Sequence, residues 1–142
     1  MTIYADSSFF VSLHIVDAHS HEVWRRMQSN PAIYLTPIHR IEFAHAAFLH
    51  VFWKKATAFE AESAVSAFNE DCANGIWTLV AFPESAFMRS VELAARYAPS
   101  IGVRSLDSLH VACALELRAN KFWTFDERQA KLAEAVGIDT NP

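Results

Sequence analysis

Glycine is scarce in this chain, with three among 142 residues, while proline occurs five times and cysteine twice. So few glycines leave no phosphate-cradling Gly-rich loop, and no GxSxG element follows a strand-like run, which removes P-loop enzymes and serine-triad hydrolases. Cys72 and Cys113 lack CxxC spacing and sit in apolar settings, so they read as small core residues, not as metal ligands or a disulfide. Long apolar runs are missing too: none approaches the roughly 20 residues needed to cross a bilayer. The N-terminal MTIYADSSFF has neither the basic flank nor the apolar stretch of a secretion signal. A cytoplasmic protein without a membrane segment is the expectation. With no low-complexity run, disorder is excluded for most of the chain.

What is present is apolar and aromatic: 52% of residues are hydrophobic and 13% aromatic. A chain of this length can bury a real core without metal or disulfide staples, so residues 1–142 read as one domain. Twelve basic residues against 16 acidic ones give a net charge of -4, which argues weakly against a protein that coats nucleic acid.

Short apolar runs alternate with longer segments of helical period, the pattern of an α/β domain built on a mainly parallel sheet. TIYA at 2–5 reads as the first strand, and Ser7 or Ser8 as the cap of a helix through FFVSLH. Asp17 opens a second helix through HSHEVWRRMQ, stopped by Asn30-Pro31. IYLT at 33–36 is the second strand. Thr36-Pro37 starts a helix reaching about residue 53, and another spans 58–73 before Asn74-Gly75. IWTLVAF at 76–82 is the third strand, Pro83 and Glu84 open a helix to about Tyr97, and APSIG is a loop. RSLDSLHVACALELRAN at 104–120 is an apolar helix. KFWTFD at 121–126 is the fourth strand, ERQAKLAEAVG a short helix closed by Gly137, and IDTNP a strand stub or frayed tail.

Four carboxylates stand out. Asp6 and Asp126 each follow a strand and precede a helix, the edge of a parallel sheet where ligands bind, although each could be only an N-cap. Glu42 shares a helix face with Ile38, His45 and Leu49, where a carboxylate needs a partner unless that face is a solvated edge. Asp107 lies in the apolar 104–120 helix and must meet something cationic; Arg104 at i-3 or His110 at i+3 is the structural candidate. Taken together, the four can converge on one spot, where mutual repulsion calls for a divalent cation. Hard oxygen donors select Mg²⁺, with Mn²⁺ as substitute, over zinc. Setting these four apart leaves 12 acids against 12 bases, so the negative excess equals the proposed site. With that charge neutralised, Arg25, Arg26, Arg40, Lys54, Lys55, Arg104 and Arg128 could draw in a polyanion, or be ordinary surface charges.

Other chemistries fit less well. His19/His21 and His45/His50 have the wrong spacing for a helical zinc site, and no HExxH occurs. An aspartyl-phosphate phosphatase commonly has a second acid two residues after its nucleophile, a position held here by Ser8. His110 reads as a satisfied core histidine, and the VFW and FWTF segments read as core more readily than as a binding surface.

YADSSFFVSL, RIEFAHA, RSLDSLHVACAL and FWTFDERQAKLAEAVGI, in this order and at these intervals, resemble the PIN domain, specifically the VapC-type toxins of type II toxin-antitoxin pairs. LDSLHVACAL and TFDERQAKLAEAVGI carry the resemblance most specifically, and it covers essentially the whole chain. It implies a three-layer α/β/α sandwich with a mainly parallel sheet. It further implies Mg²⁺-dependent endoribonuclease activity on RNA, homodimerisation and inhibition by a small VapB-like antitoxin. Asp6, Glu42, Asp107 and Asp126 take the family's acidic catalytic and metal-binding positions, with Ser8 and Thr124 at small hydroxyl positions beside them. A PIN nuclease with a housekeeping RNA-processing role and a catalytically silent PIN-fold binding domain are the alternative functions.

Overall fold

The computed structural model describes residues 1–142. In chain order the elements are β1 (Thr2–Ala5), α1 (Ser7–His14), α2 (Ser20–Met27), β2 (Ala32–Leu35), α3 (Pro37–Phe52), α4 (Ala58–Ala73), β3 (Thr78–Leu79), α5 (Ser85–Ile101), α6 (Ser105–Glu116), β4 (Lys121–Trp123) and α7 (Glu127–Ala135). All four strands are parallel and lie in the order β3-β2-β1-β4. No helix is long and apolar enough to cross a membrane.

Strand alternation sends successive side chains to opposite faces, and here both faces are covered by helices. From β1, Ile3 and Ala5 join Phe9, Phe10, Phe43, Phe68 and Trp77 in one core, packed against α1 to α4. Tyr4, between them, enters a second core with Val111, Cys113, Phe122 and Leu132, beneath α5 to α7. This is the three-layer α/β/α sandwich with a parallel sheet expected from the sequence. The first core is built on aromatic contacts: Phe43 stacks on Phe68 at 4.2 Å and Phe10 meets Trp77 edge-on at 5.0 Å, pairs that add to area burial.

Element boundaries follow local chemistry, and several differ from expectation. Asp6, not Ser7 or Ser8, caps α1 by accepting the Ser8 N–H, which frees the Ser7 hydroxyl for another partner. The second helix begins at Ser20 instead of Asp17, because Asp17 accepts from the His19 N–H and the Ser12 hydroxyl and so fixes the preceding turn. Only Thr78 and Leu79 form β3; its neighbour β2 ends at Leu35, where Thr36 turns into α3, so residues 80–82 run out of ladder partner after the Val80 N–H reaches the Leu35 carbonyl. The expected APSIG loop is the last turn of α5, which carries Pro99 and stops at Gly102 with φ 75°. Tyr97, Ala98 and Ile101 pack against the second core, and that burial holds the turn helical despite the hydrogen bond Pro99 deletes. β4 stops at Trp123 because Thr124 bends the chain toward Asp6. The tail does reach the sheet: Asp139 bridges Lys121, and its carbonyl accepts the Phe122 N–H.

Candidate active site

Chain direction across the sheet reverses at β1 and β4. The connection leaving β1 enters α1 on one face, while that leaving β4 enters α7 on the other. A crevice opens at the carboxyl ends of strands at such a switch point. Asp6 and Asp126 follow these two strands, whose ends are held together by the Asp6 N–H bonding the Trp123 carbonyl at 3.0 Å. His39 fixes the same corner from α3: its Nδ1 accepts the Thr36 N–H at 3.0 Å, leaving Nε2–H to donate to the Ala5 carbonyl at 2.8 Å.

Asp6 is bonded through Oδ1 to the Ser8 N–H at 2.6 Å and through Oδ2 to the Ser8 and Thr124 hydroxyls at 3.0 Å each. Burial pushes its carboxyl above the ordinary 3.8, against the opposing effect of those bonds and of His110. No Lys or Arg pairs with it.

Glu42 projects from α3 into a hydrogen-bonded chain. Its Oε1 accepts from the Ser7 hydroxyl at 2.8 Å and from His110 Nε2, whose Nδ1 faces the Tyr4 hydroxyl at 2.7 Å. Burial alone would raise the Glu42 carboxyl; the hydrogen bonds from His110 and Ser7 outweigh it and hold the group below its ordinary value. Burial also keeps Tyr4 protonated far above neutrality.

Asp107, in the first turn of α6, accepts from Arg104 Nε at 3.3 Å. The Arg104 side chain is 78% exposed, so this bond competes with water and is weak. Asp126 caps α7 through the Gln129 N–H at 2.8 Å. Gln129, fully buried, also donates to the Asp107 carbonyl at 3.3 Å and faces the Thr124 hydroxyl at 2.7 Å. Thr124 and Gln129 thereby tie three of the acid-bearing segments together.

The four acids expected from the sequence line a single cleft of about 360 Å³ together with Ser7, Ser8, Asp17, His19 and Arg104. Of these acids only Asp107 meets an Arg and only Glu42 a His. No three His, Cys, Asp or Glu side chains stand close enough to form a ready-made metal cluster. The donor set nevertheless fits a hard cation: it is all oxygen, and Asp6 is a largely desolvated carboxylate with no Lys or Arg beside it. Mg²⁺ keeps several waters and commonly uses one or two carboxylates, so it needs no preformed cage. The basic residues offered earlier as a polyanion surface are scattered. Only Arg104 lines the cleft, while Arg25 and Arg26 are occupied by Glu22.

Four contributors carry no distinctive signal in the sequence: Ser7 reads as a cap, Asp17 as a helix start, His19 as an unsuitable zinc ligand and Tyr4 as a strand residue. His110 is buried as expected, yet it also holds Glu42. A signal for this did exist in the sequence: Asp107 and His110 lie at i and i+3 of one apolar helix, so both project from one face.

The PIN domain family model matches residues 3–135. No curated protein matches the chain in sequence. Among solved structures, VapC20 of Mycobacterium tuberculosis, a sarcin-ricin loop cleaving toxin, aligns with a TM-score of 0.69 at 15% identity, covering 99% of this chain and 99% of that one. VapBC2 of Rickettsia felis, bound to a DNA fragment from its promoter, gives 0.69 at 13% identity over 99% and 98%. FitAcB of Neisseria gonorrhoeae gives 0.68 at 15% identity over 99% and 96%. At these identities the likeness is one of fold.

Proposed function

The chain belongs to the PIN-domain family, and from that premise we propose that it is a single-domain, Mg²⁺-dependent endoribonuclease, the VapC-type toxin of a toxin-antitoxin pair. One observation carries the reading: Asp6, Glu42, Asp107 and Asp126, from four separate segments, face one cleft at the switch point of a parallel sheet.

Asp6 and Asp107 are the principal metal ligands in this reading, with Glu42 and Asp126 completing the set. Mg²⁺ or Mn²⁺, when bound, supplies Lewis-acid polarisation of the scissile phosphate and activation of water. Glu42, kept ionised by His110 and Ser7, is an acceptor able to orient the attacking water. The new P–O bond forms from that water as one ester P–O bond breaks, and the leaving oxygen takes up a proton. No covalent enzyme intermediate is required. Ser8 and Thr124 hold the Asp6 carboxylate in one rotamer, so the site is ordered before substrate arrives.

A small VapB-like antitoxin is the proposed inhibitor, in keeping with the antitoxin complexes among the structures of like fold. Homodimerisation is supported by exposed Phe87, Met88 and Val91 on α5 and Leu106 on α6, an apolar surface beside the cleft. The cytoplasm, where RNA and antitoxin are both found, is the proposed location.

The test is cleavage of a mixed single-stranded RNA pool by wild type and Asp107→Asn with Mg²⁺, Mn²⁺ or chelator. Metal-dependent cleavage lost in the variant is expected. A folded, antitoxin-free wild type inert in every ion, on structured as well as single-stranded RNA, would overturn the proposal in favour of a binding domain.

A further inference from the structure

Next to the acids lies a stacked pair that their chemistry does not use. The imidazole of His19 lies flat on the ring of Phe125, with centroids 4.2 Å apart and an interplanar angle of 4°. His19 is exposed and lines the acid cleft, and Phe125 immediately precedes Asp126. With one imidazole face covered by Phe125, the exposure of His19 belongs to its other face and its edges. The pair is held on both sides. The His19 N–H donates to Asp17 Oδ1 at 2.8 Å, while Asp17 Oδ2 accepts the Ser12 hydroxyl at 2.7 Å, which anchors the turn to α1. The Arg26 guanidinium, fixed by Glu22 at 2.7 Å, sits 5.4 Å from the Phe125 centroid and 5.2 Å from that of Trp123.

A rigid, solvent-facing π surface at the lip of a phosphodiester-cleaving site matches what an unpaired base requires, since every base has a π face and stacking is tolerant of sequence. Because the pair is already ordered, little entropy is lost on binding. We propose that His19, seated on Phe125, is a nucleobase-stacking subsite that positions single-stranded RNA against the acids. This rests on the reading of the cleft as a ribonuclease site and adds to it the element that grips the base.

The experiment compares wild type, His19→Ala, His19→Phe and His19→Gln. Steady-state cleavage of a single-stranded oligoribonucleotide in Mg²⁺ gives KM and kcat. In an Asp107→Asn background, the same oligonucleotide with 2-aminopurine placed at successive positions around the cleaved bond reports stacking through fluorescence quenching. His19→Ala is expected to raise KM roughly 10-fold, the loss expected for one stacked base, with a smaller effect on kcat, and to abolish the quenching. His19→Phe should restore both; His19→Gln should not. The proposal is overturned if His19→Ala cleaves with the wild-type KM, or if Gln rescues and Phe does not, which would assign a hydrogen-bonding role. It is also overturned if His19→Ala weakens Mn²⁺ binding to RNA-free protein in calorimetry, which would make His19 a metal ligand. In these three cases the nuclease reading survives. A wild type that neither binds nor cleaves RNA removes both together.

Discussion

Glu42 of α3 and His110 of α6, separated by 68 residues in sequence, are joined by a hydrogen bond from imidazole Nε2 to carboxylate Oε1. An ionised carboxylate only accepts, so Nε2 carries the proton. Tyr4, kept protonated by burial, is then placed to donate to Nδ1. A strand from the middle of the sheet and one helix from each outer layer thus meet in a single hydrogen-bonded chain.

Cutting this chain has a graded outcome. His110→Ala leaves the Tyr4 hydroxyl buried and unpaired and strips Glu42 of its strongest donor, which should cost roughly 2–4 kcal/mol. Tyr4→Phe removes only the outer link and should cost about 1 kcal/mol. Urea unfolding followed by circular dichroism measures both. Equal losses in the two variants would mean that the link to Glu42 adds nothing.

Asp107→Asn removes one negative charge from the acid-lined cleft and a weak ion pair with the exposed Arg104. In the absence of divalent ions the variant should therefore match or exceed wild-type stability. Wild type should gain melting temperature on adding Mn²⁺, since an ion that binds only the folded state stabilises it, and Asp107→Asn should lose most of that gain. Thermal denaturation with and without chelator checks both halves. An equal Mn²⁺ shift in the two proteins would place the ion away from Asp107.

Much of this arrangement was legible in the sequence, for physical reasons. A mainly parallel sheet follows from apolar runs such as TIYA and IYLT set between helical segments, because strands buried on both faces need continuous hydrophobicity, while the three layers come with the resemblance to PIN domains. The acids were visible because a carboxylate in an apolar helix or at a strand end is costly unless it has a task. What stayed hidden depends on distance in space. Nothing in the local pattern tells that the Ser7 hydroxyl reaches Glu42, that His19 lies on Phe125, or that Tyr97 and Ile101 keep the turn around Pro99 helical. Boundaries failed for a related reason: β3 is cut short by the end of β2, which its own residues do not encode.

Neither cysteine carries chemistry in this reading. Both are buried, and burial pushes the Cys113 thiol up to about 12 and also raises Cys72. Thiolates are the reactive species, so native protein at neutral pH should resist iodoacetamide, whereas urea-unfolded protein should take up label at both positions. Mass spectrometry resolves the two. Rapid labelling of native Cys113 would mean that the α6 core opens.

His39 should dominate one part of the stability profile in acid. Its ring is completely buried, and burial, then the nearby His110, lower its pKa from the ordinary 6.5 to about 3, against a raising contribution from the Ala5 carbonyl. The unfolded chain therefore binds a proton as pH falls below 6.5, while the folded chain refuses it down to about 3. Within that window the unfolded state holds the extra proton, so stability rises with pH. The contribution is fully present above 6.5 and is lost as pH falls, with a limiting slope of about 1.4 kcal/mol per pH unit. His39→Gln retains a donor for the Ala5 carbonyl but does not titrate. Urea unfolding from neutral pH down to about 4 should show wild-type stability falling more steeply than that of the variant, with the two curves converging toward acid. Parallel curves would mean that His39 takes up its proton in the folded state as readily as in the unfolded one.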